Sequence, residues 1–211
     1  MIAVKYSHVF WDWNGTLLND VGTALRCVND MLAARSMPPI GLELYHEHIG
    51  TPIRGFYEKF FDLSLEDYDR LLAEYHKLYA QYLWQTDLAQ GAVDVLKRVK
   101  DSGVKQTLLS SSEHKQLEKQ TKHFEVYDLF DHVLGAKDFQ AAGKTQRAQN
   151  HIRAQNISAS GLLVVGDIVE DCQMAKSVGA DCMLLAAGHQ SRARLETAGV
   201  RVIGLLDEIF D

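Results

Sequence analysis

Two apolar runs that each end in an aspartate place the strongest constraint on this chain. The first is Val9-Phe10-Trp11, followed by Asp12, and the second is Leu162-Leu163-Val164-Val165-Gly166, followed by Asp167. Continuous apolar runs of this length are typical of parallel strands that are buried on both faces of a sheet. Because the strands of an open α/β sheet deliver their ends to one crevice, we expect Asp12 and Asp167 to lie close together.

These aspartates predict a site for a divalent cation. A carboxylate can act on phosphate only where a cation offsets the repulsion between two anions, and carboxylate oxygens are suitable ligands for such a cation. Asp171 follows Asp167 after one helical turn. Two acids at this spacing would repel each other, and one would tend to stay protonated, unless a cation lay between them.

Two further segments between these strands are candidates for binding phosphate. Leu108-Leu109 reads as a strand that ends in the hydroxyl of Ser110, and Lys144 supplies a cation ahead of a helical stretch. We predict that Ser110 and Ser111 belong to a phosphate-binding turn that also uses backbone amides at the start of the next helix. A serine nucleophile is excluded because the flanking glycines of a nucleophile elbow are missing.

In this order, the four motifs resemble those of the haloacid dehalogenase-like hydrolase superfamily, and most closely its phosphoglycolate phosphatase-like branch. The resemblance covers essentially the whole chain. It implies that Asp12 is the nucleophile, Ser110 the phosphate-binding hydroxyl, and Lys144 the phosphate-binding cation. It also implies Mg²⁺ as cofactor, bound by Asp167 and Asp171 together with Asp12, and a small phosphorylated substrate. Further substrate contacts are expected at Gly15 and Thr16, directly after the nucleophile.

Asn14 departs from the pattern of this superfamily. Its phosphatases usually carry a second aspartate two residues after the nucleophile, which protonates the leaving alcohol and later activates water. An amide cannot exchange a proton near neutral pH. The resemblance still implies a place for Asn14 in the metal site, through its backbone carbonyl.

Three outcomes of this change stay open. Water or another residue protonates the leaving group, which would limit the enzyme to slow turnover or to good leaving groups. The reaction has changed within a superfamily that also includes dehalogenases and phosphonate-cleaving enzymes. In the third outcome, the protein is a noncatalytic one that binds a phosphorylated ligand or partner through the same pocket.

The alternation of apolar periods predicts an α/β fold: a doubly wound, Rossmann-like parallel sheet that helices cover on both faces. Between the first two strands the pattern is helical throughout, which predicts an inserted cap domain. We place this all-helical cap at residues 19–87 and the core at residues 1–18 and 88–211. The expected cap helices are 20–34, 42–48, 53–61 and 64–84, and the last has a capping box formed by Ser64 and Asp67.

The cap contains one candidate for a substrate contact. Gly50-Thr51-Pro52 precedes a predicted helix start, where backbone amides and Arg54 would face an anionic substrate together. The alternative, a solvated surface arginine, stays open. His46 and His48 lack metal-ligand spacing and are predicted to lie on the surface, whereas the aromatic stripe of the cap is predicted to form its core.

Composition indicates a cytoplasmic enzyme without nucleic-acid or membrane partners. The 211 residues carry a formal net charge of −6, which argues against nonspecific binding of nucleic acid. Cys27, Cys172 and Cys182 lack zinc or redox spacing and are predicted to be reduced thiols. The amino terminus is expected to lead straight into the first strand, without a signal peptide, and no apolar run approaches membrane-spanning length.

Overall fold

A six-stranded parallel sheet lies at the centre of the computed structural model, which describes residues 2–137 and 143–211. In the order of the chain, the strands are β1 (His8–Trp11), β2 (Lys105–Glu113), β3 (His132–Ala136), β4 (Leu162–Gly166), β5 (Asp181–Leu185) and β6 (Arg201–Ile203). Their order across the sheet is β3-β2-β1-β4-β5-β6. The doubly wound α/β fold that the sequence predicts is therefore confirmed.

Helices connect the strands. In the described part of the chain, the α-helices are α1 (Ile2–Lys5), α2 (Val21–Ala33), α3 (Leu42–His48), α4 (Arg54–Phe60), α5 (Tyr68–Tyr82), α6 (Ala92–Asp101), α7 (His114–His123), α8 (Lys144–Gln155), α9 (Val169–Val178) and α10 (Arg192–Glu196). Short 3₁₀ helices follow α5, α7, α8 and β6, at Leu83–Gln85, Tyr127–Leu129, Ala159–Gly161 and Leu206–Phe210.

The strand order brings the two aspartate-bearing strands side by side. β1 lies between β2 and β4, and Trp11 pairs with Leu108 on one side and with Val165 on the other. The chain progresses outward in opposite directions from β1 and β4, so these neighbours mark the point where the order of the sheet reverses. In open α/β sheets the ligand crevice lies at the carboxyl edge at this point.

Alternate residues of β1 belong to different hydrophobic clusters. Val9 and Trp11 pack in one cluster with residues of α6 and β4, whereas Phe10 packs in the other with Val164. All four residues of β1 are buried. The continuous apolar run therefore reflects a strand that is covered on both faces.

The segment 19–87, hereafter the cap segment, contains α2 to α5 and has a hydrophobic cluster of its own. Val21, Ala24, Val28 and Met31 recur at helical spacing on α2, and all are buried in this cluster. Aromatic side chains from α3, from α4 and from the residue after α4 complete it: Tyr45, Phe56, Tyr57 and Phe61. The last three belong to the predicted aromatic core, whereas Trp84, which is predicted with them, is exposed. The helical content predicted for this segment is confirmed, although its division from the rest of the chain as a domain stays a prediction.

The boundary of α5 differs from the predicted one. Asp67 is the N-cap of this helix, and its carboxylate accepts a hydrogen bond from the Arg70 amide at 2.9 Å. The Ser64 hydroxyl instead donates to Asp62 Oδ1 at 2.6 Å. The predicted capping box of Ser64 and Asp67 is therefore wrong, because Ser64 closes a local turn before the helix.

Two other local predictions need correction. A short helix, α1, precedes β1, so the amino terminus does not lead directly into the sheet. β2 continues past Leu109 to Glu113, with a shift in its register against β3, because pairing resumes at Glu113 and Ala136. Ser110 and Ser111 therefore lie within an irregular strand rather than in a turn beyond it.

The buried and exposed positions of several side chains also test the sequence. His46 and His48 are half-buried rather than on the surface, and they pack against the rings of Tyr45 and Phe60 respectively. All three cysteines are buried free thiols, as predicted. Within residues 2–137 and 143–211, no helix has the length and apolar character needed to cross a membrane.

Candidate active site

Three aspartates converge at the carboxyl edge of the sheet. Asp12 follows β1, Asp167 follows β4, and Asp171 lies in the first turn of α9. One carboxylate oxygen from each can be chosen so that all three lie within 4.8 Å of one another. The Asp12 amide donates to the carbonyl of Val165 at 2.9 Å, which joins the two strands at this edge. The structure thus brings together three of the four residues that the sequence predicts as metal ligands. The place of the fourth, Asn14, in a metal site stays a prediction.

Lys144 joins this cluster from the first residue of α8. Its Nζ atom lies 2.5 Å from Asp12 Oδ1 and 2.6 Å from Asp171 Oδ1. Burial alone would lower the pKa of this ammonium group, but the two carboxylates hold it well above its usual value. Lys144 therefore carries a fixed positive charge beside the candidate nucleophile.

One lysine does not offset the charge of three buried carboxylates. Burial raises the pKa of Asp12 and of Asp167, and the charge of Asp171 raises both further. Lys144 lowers the pKa of Asp12 in part, and His189 does so for Asp167. The ligand atoms are all oxygen, which is the set that Mg²⁺ prefers, and the excess negative charge favours a divalent cation. The residues present therefore fit Mg²⁺.

Gly15 and Thr16 support the Asp167 carboxylate. The Thr16 hydroxyl donates to Asp167 Oδ1 at 3.0 Å, and the His189 amide donates to Oδ2 at 2.6 Å. Gly15 has a φ of +72°, and a Cβ atom there would lie 2.1 Å from Asp167 Oδ2. The close approach and the left-handed backbone both require glycine. These two residues lie against the carboxylate of Asp167, a predicted metal ligand, and their predicted contact with substrate stays a prediction.

The Asn14 side chain is held by three partners. Its Nδ2 atom donates to Asp20 Oδ2 and to the Tyr79 hydroxyl, both at 2.8 Å. Its Oδ1 atom accepts a hydrogen bond from the Ser112 hydroxyl at 2.8 Å. Because the Asp20 carboxylate can only accept, the amide nitrogen must face it. The amide nitrogen of Asn14 therefore faces Asp20 and Tyr79 within the protein.

Asp20 and His189 form a buried ion pair that the sequence did not predict. Asp20 Oδ1 lies 3.3 Å from His189 Nε2 and accepts a hydrogen bond from the Gly15 amide at 2.7 Å. Burial alone would lower the pKa of His189, but the charges of Asp20, Asp167 and Asp12 raise it to about 9. Burial alone would raise the pKa of Asp20, but His189 holds it below its usual value. The imidazolium is therefore charged at neutral pH and is matched by Asp20.

The three serines of β2 have different surroundings. Ser110 is buried, and its hydroxyl oxygen accepts a hydrogen bond from the Ser112 amide at 3.0 Å. Ser111 and Ser112 line a cavity that adjoins Asn14. The structure thus places Ser111 where a substrate could reach it, whereas Ser110 supports the local backbone. The assignment of Ser110 as a phosphate ligand stays a prediction.

A cavity of about 520 Å³ lies between the cap segment and the carboxyl edge of the sheet. Asn14, Asp20 and His189 line it on the side of the carboxylate cluster. Tyr45, Tyr75 and Tyr79 line it on the side of the cap segment. The cavity therefore reaches from the cap segment to Asn14, two residues after Asp12, whereas Asp12 and Lys144 are not among its lining residues.

Comparison with known proteins identifies the family. Residues 9–185 match the model of the haloacid dehalogenase-like hydrolase family. The chain belongs to this family. The match includes Asp12, Lys144, Asp167 and Asp171, and it spans the cap segment.

Several relatives resemble this hydrolase along most of its length. It is 26% identical over 211 residues to phosphoglycolate phosphatase 1 of Pseudomonas aeruginosa, covering 96% of this chain and 78% of that protein. It is 21% identical over 187 residues to the phosphoglycolate phosphatase of Rhodobacter capsulatus, covering 86% and 85% respectively. A crystal structure described as a predicted phosphatase from Clostridium acetobutylicum has a TM-score of 0.79 at 18% identity, covering 97% and 96%.

Arg54 of this hydrolase lies apart from the carboxylate cluster. Its Nε atom donates to Glu58 Oε1 at 2.8 Å, and its guanidinium stacks 5.0 Å from the Tyr68 ring. The side chain is 55% exposed, and it is not among the residues that line the cavity beside Asn14. The structure therefore favours the alternative of a surface arginine over the predicted substrate contact.

Other residues hold the turn that precedes Arg54. Glu170 Oε1 accepts a hydrogen bond from the Thr51 amide at 2.9 Å. The Arg194 Nη1 atom donates to the carbonyl of Ile49 at 2.6 Å. Gln190 Nε2 donates to Glu170 Oε2 at 3.2 Å. These residues belong to no recognisable motif, so only the fold reveals that they join the cap segment to the loops around Asp167.

Proposed function

We propose that this hydrolase is a magnesium-dependent phosphatase that releases phosphate from a small phosphomonoester through an aspartyl-phosphate on Asp12. The observation that carries the proposal is the convergence of Asp12, Asp167 and Asp171 around Lys144. Family membership and the names of the phosphoglycolate phosphatase relatives support the reaction class. A protein that only bound phosphate would gain nothing from a carboxylate directed at it, because the two groups repel each other.

Asp12 supplies the nucleophile in this mechanism. One of its carboxylate oxygens attacks phosphorus, and the bond from phosphorus to the leaving oxygen breaks. The leaving oxygen takes its proton from water, because the amide of Asn14 does not release a proton near neutral pH. Water then attacks the phosphorus of the acyl phosphate, which releases inorganic phosphate and restores the Asp12 carboxylate.

The remaining residues of the site position and neutralise charge. Lys144 offsets the charge of Asp12 and of the phosphoryl oxygens as they approach each other. Asp167 and Asp171 would hold Mg²⁺ together with Asp12, and the ion would neutralise further charge on the phosphoryl group. Thr16 and the His189 amide fix both oxygens of Asp167. The protein's share of catalysis is then positioning and charge compensation.

The proposal extends to the organisation and location of the protein. Residues 19–87 form a cap domain over the active site, and residues 1–18 and 88–211 form the catalytic core. The separate hydrophobic cluster of the cap segment and the cavity beneath it support this division. The cytoplasm is the proposed location, and the free thiols support it because disulfides belong to oxidising compartments.

Phosphate release with and without Mg²⁺, from wild type and from Asp12→Asn, tests this function. We expect Mg²⁺-dependent release from wild type and none from Asp12→Asn, because the amide keeps the shape of the side chain but lacks the nucleophilic oxygen. Asp101→Asn is the matched control, since Asp101 is exposed at the end of α6. Hydrolysis retained in Asp12→Asn would rule out the covalent mechanism.

The same experiment distinguishes an enzyme from a noncatalytic phosphate-binding protein. The observation that favours the noncatalytic alternative is the amide at position 14. Calorimetric titration of Mg²⁺ into wild type and Asp167→Asn adds a readout that does not require turnover. We expect weaker Mg²⁺ binding in the variant, because it removes a charged ligand. Binding of Mg²⁺ and of inorganic phosphate without any turnover would favour the noncatalytic alternative.

A further inference from the structure

We propose that the substrate of this hydrolase is an aryl phosphate, in which an aromatic ring carries the phosphorylated oxygen, rather than a small alkyl phosphate with a carboxylate. The inference rests on the proposed phosphatase function and adds the chemical class of the leaving group. Two independent features carry it. One is the size, walls and charge of the cavity beside Asn14, and the other is the hydrogen bonding of Asn14 itself.

The cavity is large for a two-carbon leaving group. Its volume of about 520 Å³ lies within the range of pockets that bind small molecules. A cavity of roughly 150 Å³ is enough to hold a benzene ring. A second cavity of about 400 Å³ in the cap segment shares Tyr45, Ile49 and Tyr75 with the first. The cavity beside Asn14 is therefore large enough for an aromatic ring, and the second cavity lies next to it in the cap segment.

The walls of the cavity suit an aromatic ring. Tyr75 and Tyr79 are stacked along α5, with ring centroids 5.8 Å apart, and both line the cavity. Tyr45 lines it from α3, and Ile49 and Ile53 add aliphatic surface. Aromatic side chains at this spacing offer faces and edges against which a substrate ring can stack.

The charges around the cavity disfavour a substrate carboxylate. Asp20 and Glu113 line it with negative charge, and His189 is already paired with Asp20. Among the lining residues that the structure describes, Lys77 is the one lysine or arginine, and its side chain is exposed. Arg54, which could have met an anionic group, is paired with Glu58 instead. A carboxylate such as that of glycolate would face like charge without a buried cation to offset it.

The chemistry and hydrogen bonding of Asn14 independently indicate the same class of substrate. Its amide nitrogen donates to Asp20 and Tyr79, and an amide does not release a proton near neutral pH. His189 also lines the cavity, but its Nε2 atom is paired with Asp20 and its Nδ1 atom is bonded to the Tyr45 hydroxyl. The leaving oxygen then departs as an anion or is protonated by water. Phenols, with a pKa of about 10 like that of tyrosine, depart far more readily than alcohols, whose acidity is nearer to that of water at about 15.7.

Hydrolysis of five substrates by the full-length protein with Mg²⁺ separates the effect of ring size from the effect of leaving-group basicity. Phenyl phosphate and 2-naphthyl phosphate have aromatic leaving groups of low basicity, and naphthyl is the larger. Benzyl phosphate has a ring but leaves as an alkyl alcohol, and phosphoglycolate is small and carries a carboxylate. Acetyl phosphate is small with a good leaving group, so it reports on the chemistry at Asp12 without filling the cavity.

We expect kcat/KM to decrease from 2-naphthyl to phenyl to benzyl phosphate, with phosphoglycolate slowest. The step from phenyl to benzyl should be at least about a hundredfold, which is the lower range of what a positioned acid supplies. The step from naphthyl to phenyl should lie mainly in KM, because it reflects contact with the tyrosine walls. Phosphoglycolate turned over with a higher kcat/KM than phenyl phosphate would overturn the inference.

Two alanines on α5 provide a matched pair of variants that test the cavity directly. Both are exposed, but Ala80 lines the cavity, whereas Ala73 does not. Ala80→Phe should lower the ratio of naphthyl to acetyl phosphate kcat/KM by at least about tenfold, because the added ring occupies the space of the substrate. Ala73→Phe should leave this ratio unchanged. An unchanged ratio in both variants would show that the aromatic group does not occupy this cavity.

Failure of the inference is distinct from failure of the proposed function. If acetyl phosphate is hydrolysed by wild type but not by Asp12→Asn, the phosphatase mechanism stands whatever the order of the other substrates. If none of the five is hydrolysed, or if Asp12→Asn keeps full activity, the proposed function fails and the aryl phosphate assignment fails with it.

Discussion

The side-chain amide of Asn14 donates to Asp20 Oδ2 across 2.8 Å, and the Tyr79 hydroxyl donates to the same oxygen across 2.6 Å. The negative charge that phosphatases of this superfamily usually carry at position 14 is thus found at Asp20, where His189 matches it. A second carboxylate at position 14 would face Asp20 at hydrogen-bond distance. The two acids would then have to share one proton.

We therefore predict that Asn14→Asp alone destabilises the protein. The new carboxyl group loses the amide hydrogens that hold Asp20, and burial of two like charges raises the pKa of the pair. Its free energy of unfolding should fall by about 1–3 kcal/mol at pH 7.5, measured by urea denaturation. The control is Asn150→Asp on the exposed side of α8, which should change stability little.

The exchange variant Asn14→Asp with Asp20→Asn should regain much of this stability, because it keeps the number of carboxylates and the hydrogen bond between the two positions. This exchange variant should also have a kcat/KM for benzyl phosphate that is about a hundredfold higher or more, since an acid now faces the leaving group. Its kcat/KM for phenyl phosphate should rise only slightly. A pH–rate profile should show one additional ionisation. Equal gains on both substrates would mean that the new carboxyl group does not protonate the leaving oxygen.

The sequence predicts the carboxylate cluster because strand direction alone determines it. Asp12 and Asp167 each follow an apolar run, and parallel neighbouring strands must end at one edge. Asp171 then follows from the helical spacing after Asp167. Lys144 stood out in the sequence as a cation ahead of a helical stretch, but its role came from the family resemblance. The structure brings its Nζ atom to Asp12 and Asp171.

The residues that surround this cluster could not be predicted in the same way. Asp20, Tyr79 and His189 come from the start of α2, the end of α5 and the loop after β5. Their contacts depend on how the cap segment packs against the sheet, which no local pattern reports. Asp20 gave one weak signal, an acid directly before a helix, but that position usually indicates an N-cap, and this side chain caps no amide of α2.

Lys144 yields a prediction about metal dependence. Lys144→Met removes the cation between Asp12 and Asp171, so two buried carboxylates lose their partner. In EDTA, the free energy of unfolding should fall by about 3–5 kcal/mol, as is usual when one member of a buried ion pair is removed. Added Mg²⁺ should raise the Tm of this variant more than that of wild type, because the ion relieves the same repulsion.

Lys97→Met, at an exposed position on α6, is the control for Lys144→Met and should behave as wild type. With acetyl phosphate and saturating Mg²⁺, Lys144→Met should lose at least about a hundredfold in kcat, because a charge that stabilises the transition state is missing. Full activity in this variant would mean that Lys144 serves only the stability of the carboxylate cluster.

Arg194 and Arg54 provide a test of how the cap segment is held. Arg194 donates to the carbonyl of Ile49 at 2.6 Å, so Arg194→Ala should loosen this turn and raise KM for phenyl phosphate by about tenfold. Arg54→Ala should change KM by less than about twofold, because an exposed ion pair contributes little. Steady-state kinetics of both variants show which of the two arginines affects substrate binding. A larger effect of Arg54→Ala, confined to substrates with a second anionic group, would restore the substrate contact that the sequence predicts.

A cluster of buried histidines makes stability depend on pH. His8 Nε2 and His151 Nε2 lie 2.8 Å and 3.2 Å from the Thr107 hydroxyl, and the His132 ring lies 4.5 Å from that of His151. Burial lowers the pKa of both His8 and His151, and the neighbouring histidines add to this effect, so that both pKa values are about 4. In the unfolded chain these groups return to about 6.5.

Between about pH 6.5 and pH 4, these histidines are therefore protonated in the unfolded chain but neutral in the folded protein. Stability is unaffected by these groups above this window, falls as the pH decreases through it, and loses no more below it. Each histidine should account for roughly 2 kcal/mol of this loss.

Urea denaturation of wild type and His151→Gln in EDTA, at pH 7.5 and at pH 4.5, gives the loss of unfolding free energy for each protein. The difference between the two losses is the contribution of His151, because the contributions of the active-site carboxylates cancel. His151→Gln should lose less stability than wild type between these two pH values. The control His123→Gln, at an exposed position, should lose as much stability as wild type. Parallel losses in wild type and His151→Gln would mean that His151 is protonated in the folded protein.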